Sequence, residues 1–285
     1  MSRESADKVG VIGLGIIGSR VAARLRENEH QVYVWSRTPR AEPNFVGSPA
    51  EMATLVSTIQ IFVSNGDALL EVIEAMAPRL TKGHLVINHA TVDPRSAVDA
   101  YQMVRDAGAA FLDAPFTGSR DAAASGALTY YVGGDPKILE STRPLLEITS
   151  KDILHVGRVG EATVLKLATN MISATTVEVL SEAYGLVRSA GIEPQRLQEA
   201  LELNACSSTL TGMKFPTMIE GDFETHFSLK HMFKDAQYAL NLAKDLEIDL
   251  PALSTTANVM FRAIQGGKGD QDYSVLAQNY QEDAK

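Results

Sequence analysis

The chain has 285 residues, of which 45% are hydrophobic and 21% charged, values ordinary for a globular protein of one large or two average domains. Its formal net charge of −9 argues against a general affinity for nucleic acid or for an anionic membrane surface. A single cysteine excludes an internal disulfide, and no apolar run reaches membrane-spanning length. These features together favour a cytoplasmic protein.

The first strong signal is a glycine motif between a predicted strand and a predicted helix. Residues 8–12 are apolar, the motif Gly13-Leu14-Gly15-Ile16-Ile17-Gly18 follows, and a helical pattern then ends near Asn28. In such a GxGxxG motif the first glycine permits a tight turn, the second lets a pyrophosphate approach the backbone, and the third lets the helix pack on the strand. The motif predicts a Rossmann-type dinucleotide site with phosphates at the helix N-terminus.

The end of the second predicted strand, residues 31–35, bears on the choice of dinucleotide. NAD sites usually place an acid there, whereas NADP sites lack it and offer Arg to the 2′-phosphate. The segment that follows is Ser36-Arg37-Thr38-Pro39-Arg40, and the first acid is Glu42. Arg37 can form charge-assisted hydrogen bonds to phosphate, and the hydroxyls of Ser36 and Thr38 can donate. NADP(H) is therefore the predicted cofactor, with ordinary surface arginines as the alternative interpretation.

Strands and helices continue to alternate as far as residue 156, with strands predicted at 59–64, 84–88, 110–113 and 126–132. This alternation predicts a mostly parallel, doubly wound sheet. Ligands of such sheets lie outside the carboxyl ends of the strands.

The loops at these strand ends are expected to line the cofactor cleft. They contain Ser64 and Asn65 after one strand, and Thr91 after the next. His89 is a candidate proton donor by position, although a structural role is the better interpretation of a loop histidine. No histidine has metal-ligand spacing with cysteine or carboxylates, so no metal is predicted.

Residues 113–119, Asp-Ala-Pro-Phe-Thr-Gly-Ser, follow another predicted strand. Small hydroxyl and glycine residues in a loop can direct N–H and O–H groups toward an anion. This segment is therefore a second candidate binding loop.

Residues 160–190 are predicted to form one long helix, which contains no proline and is apolar nearly all round. Such a helix is buried on most sides. Lys166 is the only charged residue between 162 and 177. Lysine is rarely buried unless it is paired or used, and burial lowers the pKa of a lysine toward neutrality. Asn170 shares its helix face, so the two predict a polar pair aimed into a cleft; a lysine that reaches water is the alternative.

After residue 191 the pattern is helical to the end of the chain. We predict a Rossmann-type dinucleotide domain, residues 1–159, and an all-α substrate and dimerisation domain, residues 160–285, joined by the long helix with the cleft between them. One subunit is not expected to bury every apolar face of that helix, so a homodimer or homotetramer is predicted.

Four segments carry a resemblance to a known family: residues 13–18, residues 113–119, Gly160 through Lys166 to Asn170, and Lys234-Asp235. The order and spacing of these segments resemble those of the β-hydroxyacid dehydrogenase family, which includes the 3-hydroxyisobutyrate dehydrogenases. The resemblance covers nearly the whole chain. The stretch from Phe227 to Asp235 is most similar to the glyoxylate and succinic semialdehyde reductase branch.

The resemblance implies a role for each matching residue. Lys166 would be the catalytic acid/base, and Asn170 would position the substrate. The resemblance also implies residues that contact the substrate, namely Thr117, Gly118, Ser119, Phe227 and Asp235. Those implied to contact the cofactor are Gly13, Gly15, Ile16, Ile17, Gly18, Thr91 and Lys234. The family usually has Ser at the position of Thr117, Ser at that of Ala90 and Met at that of Ile17.

The implied activity is NADPH-dependent reduction of a small carboxylated aldehyde or 2-oxo acid, of the glyoxylate or succinic semialdehyde type. Alternatives on the same fold are a 3-hydroxyisobutyrate-type dehydrogenase, which would act on a hydroxyacid, and an imine reductase, although imine reductases usually lack lysine at the position of Lys166. A further alternative is an NADP-binding scaffold or sensor without turnover, which would need neither Lys166 nor Asn170.

Overall fold

The computed structural model describes residues 8–281. The first part alternates strands and helices: β1 Lys8–Ile12, α1 Ile16–Glu27, β2 Gln31–Trp35, α2 Pro49–Leu55, β3 Thr58–Ile61, α3 Gly66–Met76, β4 Leu85–Asn88, α4 Pro94–Asp106, β5 Ala110–Asp113, β6 Phe116–Thr117, α5 Arg120–Ser125, β7 Leu128–Gly133, α6 Pro136–Glu147 and β8 Ser150–Gly157. The second part contains α7 Glu161–Ser189, α8 Pro194–Glu202, α9 Thr209–Glu220, α10 Leu229–Asp245, α11 Pro251–Ala263 and a 3₁₀ helix, Tyr273–Tyr280.

This order confirms the predicted α/β fold with a helical C-terminal part. The chain divides into two compact units between Lys166 and Leu167, inside α7. None of the helices within residues 8–281 combines the length and hydropathy that a membrane-spanning segment requires.

The first unit is built on a sheet with the strand order β2-β1-β3-β4-β5-β7-β6, in which β8 also pairs with β7. Strands β1 to β5 run parallel to one another, because a helical crossover returns the chain to the same edge each time. Strand β7 runs antiparallel to β5 and β6, so the sheet is mixed at this end. The carboxyl ends of the parallel strands share one edge, where the predicted cofactor loops lie.

Helices cover both faces of this sheet. Successive residues of a strand point to opposite faces. In β1, Val9 and Val11 therefore pack with Leu25 of α1 in one core, whereas Ile12 packs with Met52 of α2 in the other. Burial on both faces explains why the central strands are continuous apolar runs rather than alternating ones.

Three short elements differ from the sequence prediction. Helices α2 and α5 have seven and six residues, too few for a clear helical periodicity. Thr117, predicted to lie in a loop, belongs to β6 and pairs with Thr129 of β7.

The second unit has one apolar core, which α7, α9, α10, α11 and the 3₁₀ helix all enter. Helix α7 contributes Leu167, Ala174 and Val177 to it. One side of α7 stays uncovered in the single chain, as expected, because Ile172, Val179 and Leu186 are 61%, 55% and 72% exposed.

Candidate active site

The glycine motif forms a tight turn from β1 into α1. Gly13 has φ +95°, and a Cβ atom there would lie 2.1 Å from the carbonyl oxygen of Phe62. A Cβ atom on Gly18 would lie 2.0 Å from the carbonyl oxygen of Gly13. Both glycines are therefore required by the packing of the turn itself.

Gly15 differs from the other two motif glycines. A Cβ atom built on it meets no protein atom within 4 Å, so packing inside the chain does not explain the glycine. Gly15 is also the N-cap of α1, and no side chain caps that helix. The first amide groups of a helix have no intrahelical acceptors and attract anions. A glycine cradle beside an uncapped helix N-terminus fits the pyrophosphate of a dinucleotide.

The end of β2 presents exposed positive charge. Arg37 and Arg40 are exposed, Ser36 is half-buried, and the Ser36 hydroxyl donates to the carbonyl oxygen of Thr38 at 2.7 Å. Glu42, the nearest acid in the following segment, is bound to Arg26 of α1 at 3.0 Å. The Glu42 carboxylate therefore already has an arginine partner within the first unit.

The loops after β3 and β4 start the next helices. Asn65 is the N-cap of α3, where its side-chain oxygen accepts from the backbone N–H of Ala68 at 3.0 Å, and Ser64 beside it is exposed. Thr91 is half-buried in the loop after β4. The structure therefore places Ser64, Asn65 and Thr91 at the edge of the sheet where Gly15 also lies.

His89 is a structural residue, and its candidacy as a proton donor is wrong. Its ring is fully buried, stacks on Phe62 with centroids 4.5 Å apart, and donates through Nδ1 to the carbonyl oxygen of Ala114 at 2.8 Å. Burial lowers the pKa of His89 to about 4, although the bond to Ala114 opposes this shift. The ring is therefore neutral near pH 7 and has no access to a ligand.

The second candidate binding loop surrounds Gly118. Thr117 is half-buried on β6, and Gly118 has φ +127° with its virtual Cβ 2.9 Å from Leu128, so this position also requires glycine. Ser119 is the N-cap of α5, and its hydroxyl makes no capping bond. Thr117 and Ser119 thus provide hydroxyl groups on either side of Gly118, whose backbone N–H is not shielded by a side chain.

The start of α7 is held by a buried carboxylate. Asp113, at the end of β5, is 0% exposed and accepts from the backbone N–H of Gly160 at 3.1 Å and from the Thr163 hydroxyl at 2.9 Å. The Asn88 side-chain amide also donates to it at 3.2 Å. Burial raises the pKa of Asp113, while the bonds from Thr163, Gly160 and Asn88 oppose the rise.

Lys166 and Asn170 lie one turn apart on α7, each only 8% exposed. The side-chain amide of Asn170 donates to a carboxylate oxygen of Asp235 at 2.7 Å. The other oxygen of Asp235 lies 3.0 Å from the ammonium of Lys234, which also sits over the ring of Tyr238. In the second unit, three of the predicted residues (Asn170, Lys234 and Asp235) therefore form one polar cluster.

Phe227 is positioned by a buried ion pair that the sequence analysis missed. Lys214 donates to Asp272 at 2.7 Å, and the other oxygen of Asp272 accepts from the backbone N–H groups of His226 and Phe227 at 3.2 and 3.0 Å. Burial opposes ionisation of Asp272, but the Lys214 ammonium and these bonds keep its pKa below the usual value. The sequence does offer one indication of Asp272, because an Asp two residues before a Ser is a common helix cap. Here Asp272 accepts from the backbone N–H of Ser274 at the start of the 3₁₀ helix.

The same part of the second unit contains a half-buried histidine. His231 lies on α10 one turn before Lys234 and Asp235, and its Nδ1 is 2.8 Å from the Ser228 hydroxyl. Burial and the Lys234 charge lower the pKa of His231. Among residues 8–281, the His, Cys, Asp and Glu side chains form no group of three or more that could hold a metal ion.

Two family models cover almost the whole chain. Residues 8–157 match the NAD binding domain of 6-phosphogluconate dehydrogenase, and residues 160–280 match the NAD-binding domain of NADP-dependent 3-hydroxyisobutyrate dehydrogenase. The solved structure of Mycobacterium tuberculosis 3-hydroxyisobutyrate dehydrogenase with L-serine is similar at a TM-score of 0.89 and 22% identity, covering 97% of this chain and 99% of that one.

The curated relatives carry two kinds of name. Glyoxylate/succinic semialdehyde reductase 2, chloroplastic, of Arabidopsis thaliana is 29% identical over 279 residues, which are 94% of this chain and 78% of the relative. The cytokine-like nuclear factor N-PAC of Anopheles gambiae is 31% identical over 281 residues, which are 94% of this chain but only 49% of that protein.

A Rossmann-type unit with a glycine cradle for a dinucleotide, followed by a helical unit, defines an NAD(P)-dependent oxidoreductase. The chain belongs to the β-hydroxyacid dehydrogenase family, as its four sequence motifs indicate.

The geometry of Gly15 predicts separate effects on folding and on cofactor binding. We expect Gly15→Ala to leave the free energy of unfolding within about 0.5 kcal/mol of the wild type, because the added methyl group meets no protein atom. Its affinity for NADPH should fall about ten-fold or more, because the methyl group occupies the approach path of the pyrophosphate. Thermal denaturation without cofactor and fluorescence titration with NADPH measure the two quantities.

Gly212→Ala is the matched control, since its virtual Cβ also meets nothing within 4 Å but it lies in α9. It should leave the affinity for NADPH unchanged, and it should raise the free energy of unfolding by up to about 1 kcal/mol, because alanine favours a helix interior more than glycine does. Unaltered NADPH affinity in Gly15→Ala would rule out a pyrophosphate beside this glycine.

Proposed function

We propose that the protein is an NADPH-dependent reductase of small aldehydes or 2-oxo acids that carry a carboxylate, with residues 1–159 binding the dinucleotide and residues 160–285 serving the substrate and dimerisation. The observation that supports it most directly is the position of a buried Lys166 one helical turn before a buried Asn170 on α7, in a family of hydroxyacid dehydrogenases. Glyoxylate and succinic semialdehyde are the candidate substrates, because a relative named as a reductase of these two compounds aligns over 94% of the chain.

Lys166 is assigned the role of general acid in reduction and general base in oxidation. Its ammonium would donate a proton to the carbonyl oxygen as the carbonyl carbon is reduced, and the nicotinamide, when bound, supplies or accepts the hydride. Asn170 would hold the substrate, and its bond to Asp235 fixes the orientation of its amide. Lys234 and Asp235 would complete the site, and Phe227 would form an apolar wall.

The substrate carboxylate is assigned to Thr117, Gly118 and Ser119. Hydroxyl groups and unhindered backbone N–H groups suit an anion. Thr117 adds a methyl group where the family usually has serine, so this pocket is expected to favour a smaller or differently oriented substrate than in serine-containing relatives.

NADPH is preferred over NADH in this proposal. Arg37 and Arg40 are exposed after β2, and the first acid, Glu42, is engaged by Arg26. A guanidinium binds a 2′-phosphate through charge-assisted hydrogen bonds, whereas a free carboxylate would repel it. Thr91 is assigned to the nicotinamide, and Ser36 and Thr38 to the phosphate.

The likeness to a nuclear factor supports one non-enzymatic alternative, an NADP-binding scaffold without turnover. The two functions differ in what they require of Lys166. A scaffold needs no proton donor, whereas a reductase needs one beside the carbonyl oxygen. Turnover with a carbonyl substrate therefore separates them.

A homodimer formed through α7 is also part of the proposal. Ile172, Val179 and Leu186 recur every seven residues and are 55–72% exposed. A seven-residue apolar repeat forms one continuous stripe along a helix and packs against a partner helix. A second copy of the chain would cover this stripe, as a symmetric interface requires.

Removal of the Lys166 ammonium tests the central assignment. With glyoxylate or succinic semialdehyde, the wild type should oxidise NADPH, and Lys166→Met should lower kcat about 10²–10⁴-fold because the proton donor is lost. NADPH affinity, measured by fluorescence titration, should stay unchanged. Methylglyoxal, which lacks a carboxylate, should be a poor substrate.

Lys244→Met is the control, since this lysine is exposed in the last turn of α10. Full activity in Lys166→Met would refute the acid/base role. Oxidation of 3-hydroxyisobutyrate or reduction of a cyclic imine in preference to the aldehydes would replace the substrate assignment, and NADPH binding without any turnover would favour the scaffold.

The cofactor preference depends on Arg37. Arg37→Ala should raise KM for NADPH about 10- to 100-fold, because a charge-assisted hydrogen bond to the 2′-phosphate is lost. KM for NADH should not change. Initial rates with both cofactors measure this, with Arg196→Ala of α8 as an exposed-arginine control. Equal effects on the two cofactors would argue against a 2′-phosphate contact.

The α7 stripe makes a prediction about mass in solution. Light scattering should give about twice, or four times, the 30.8 kDa chain mass. Val179→Lys should reduce it, because a charge would be placed in an apolar interface. Leu154→Lys replaces an equally exposed residue on β8 and should leave the mass unchanged. A monomeric wild type would refute the dimer.

A further inference from the structure

Among residues 8–281, the carboxyl group of Asp113 is fully buried and contacts two of the proposed functional segments. It lies at the end of β5, and the roles assigned above do not include it. Within the first unit, its partners are Gly160, Thr163 and Asn88. Two of these partners begin α7, and the third precedes the loop of Thr91.

On the helix side, Asp113 acts as the cap of α7. The helix begins at Glu161, and the first amide groups of a helix need acceptors from outside it. Asp113 accepts from the N–H of Gly160 and from both the N–H and the hydroxyl of Thr163. A local N-cap side chain usually provides this contact, but here it comes from a strand 47 residues earlier in the chain. The positive end of the helix also favours a carboxylate at this place.

On the strand side, the same carboxylate binds the loop after β4. The Asn88 amide donates to Asp113 at 3.2 Å and to the carbonyl oxygen of Ala90 at 3.3 Å, and its own oxygen accepts from the N–H of Ala90 at 3.0 Å. Thr91 is the next residue. The carboxylate therefore joins the first turn of α7 to the loop proposed to lie beside the nicotinamide.

We propose that Asp113 is a positioning residue, which holds the first turn of α7, and with it Lys166, at a fixed place relative to the Thr91 loop. This inference rests on the proposed role of Lys166. The proton donor must be aligned with the carbonyl oxygen of the substrate to within a fraction of an ångström. A displacement of 1 Å can lower a rate about 10²-fold. Lys166 follows Thr163 by three residues, so movement of the capped turn moves the lysine directly.

A purely stabilising role explains Asp113 less well. A buried ionised group loses its hydration, and well-packed apolar residues often stabilise a fold as much or more. A carboxylate does, however, accept several directed bonds at once, which fixes geometry. The capping contacts thus suit alignment better than stability alone.

The test removes one donor and leaves the carboxylate in place. Thr163→Val retains the shape of the side chain but loses its hydroxyl, and Thr163→Ser restores the hydroxyl. Thr142→Val is the matched control, since Thr142 is also buried and its hydroxyl bonds within α6 to the carbonyl oxygen of Ile138. Asp113→Asn is a stronger variant, and if it does not fold, the three threonine variants still decide the question.

Two quantities are measured. The first is amide hydrogen exchange of residues 160–166 in the full chain, which should become about ten-fold faster or more in Thr163→Val, because a buried hydrogen bond that holds this turn is lost. The second is turnover: kcat should fall about 10- to 100-fold, with KM for NADPH unchanged. Thr163→Ser should behave like the wild type in both, and Thr142→Val should change neither.

Unchanged exchange in Thr163→Val would overturn the proposal, as would faster exchange with kcat equal to that of Thr142→Val. Failure of the proposed function looks different. If the wild type reduces no carbonyl compound, that function is wrong, but exchange of the turn that contains Lys166 needs no substrate and still shows whether the Asp113 contacts hold it.

Discussion

Hydrogen bonds between the buried carboxyl group of Asp113 and the first turn of α7 attach the helix that carries Lys166 to the sheet. Asp113 ends a central strand, and its oxygens accept from Gly160 and Thr163. The sheet alone determines where strand ends and their loops lie. Lys166 lies in the second turn of α7, and the bonds of Asp113 attach the first turn of this helix to that edge. The attachment brings the general acid proposed here into a defined relation with the cofactor loops.

Much of the dinucleotide half could be predicted from the sequence because its constraints are local. Gly13 and Gly18 are needed by contacts within the turn, and their spacing follows from a strand that passes directly into a helix. The bounds of β1 and β2 match the predicted ones, since each is a five-residue run too short for a helix, and the glycine turn marks the end of β1. The long helix was predicted because no proline or glycine cluster interrupts 29 residues.

The parts that the sequence did not reveal depend on contacts between distant residues. The partners of Asp113 lie 47 and 50 residues away, and Lys214 meets Asp272 across 58 residues. The periodic pattern of apolar residues in a sequence does not indicate which distant polar residues form a pair. Helices α2 and α5 are too short for a pattern, and Thr117 joins a strand because β7 lies beside it. The sequence favoured a structural role for His89 but left a proton-donor role open, because the contacts of its ring with Phe62 and Tyr130 are also between distant residues.

Family and substrate differ in how readily they can be inferred, because different parts of the chain determine them. A dinucleotide is bound largely through backbone N–H groups, which every sequence has, so recognition requires only glycines and a helix start at fixed spacing. A small substrate is selected by individual side chains. The methyl group that distinguishes Thr117 from serine is a change of the size that alters discrimination by about 10- to 200-fold in an apolar pocket. One methyl group leaves the fold and the family motifs intact, so substrate choice within this family can change while the architecture proposed to align Lys166 does not.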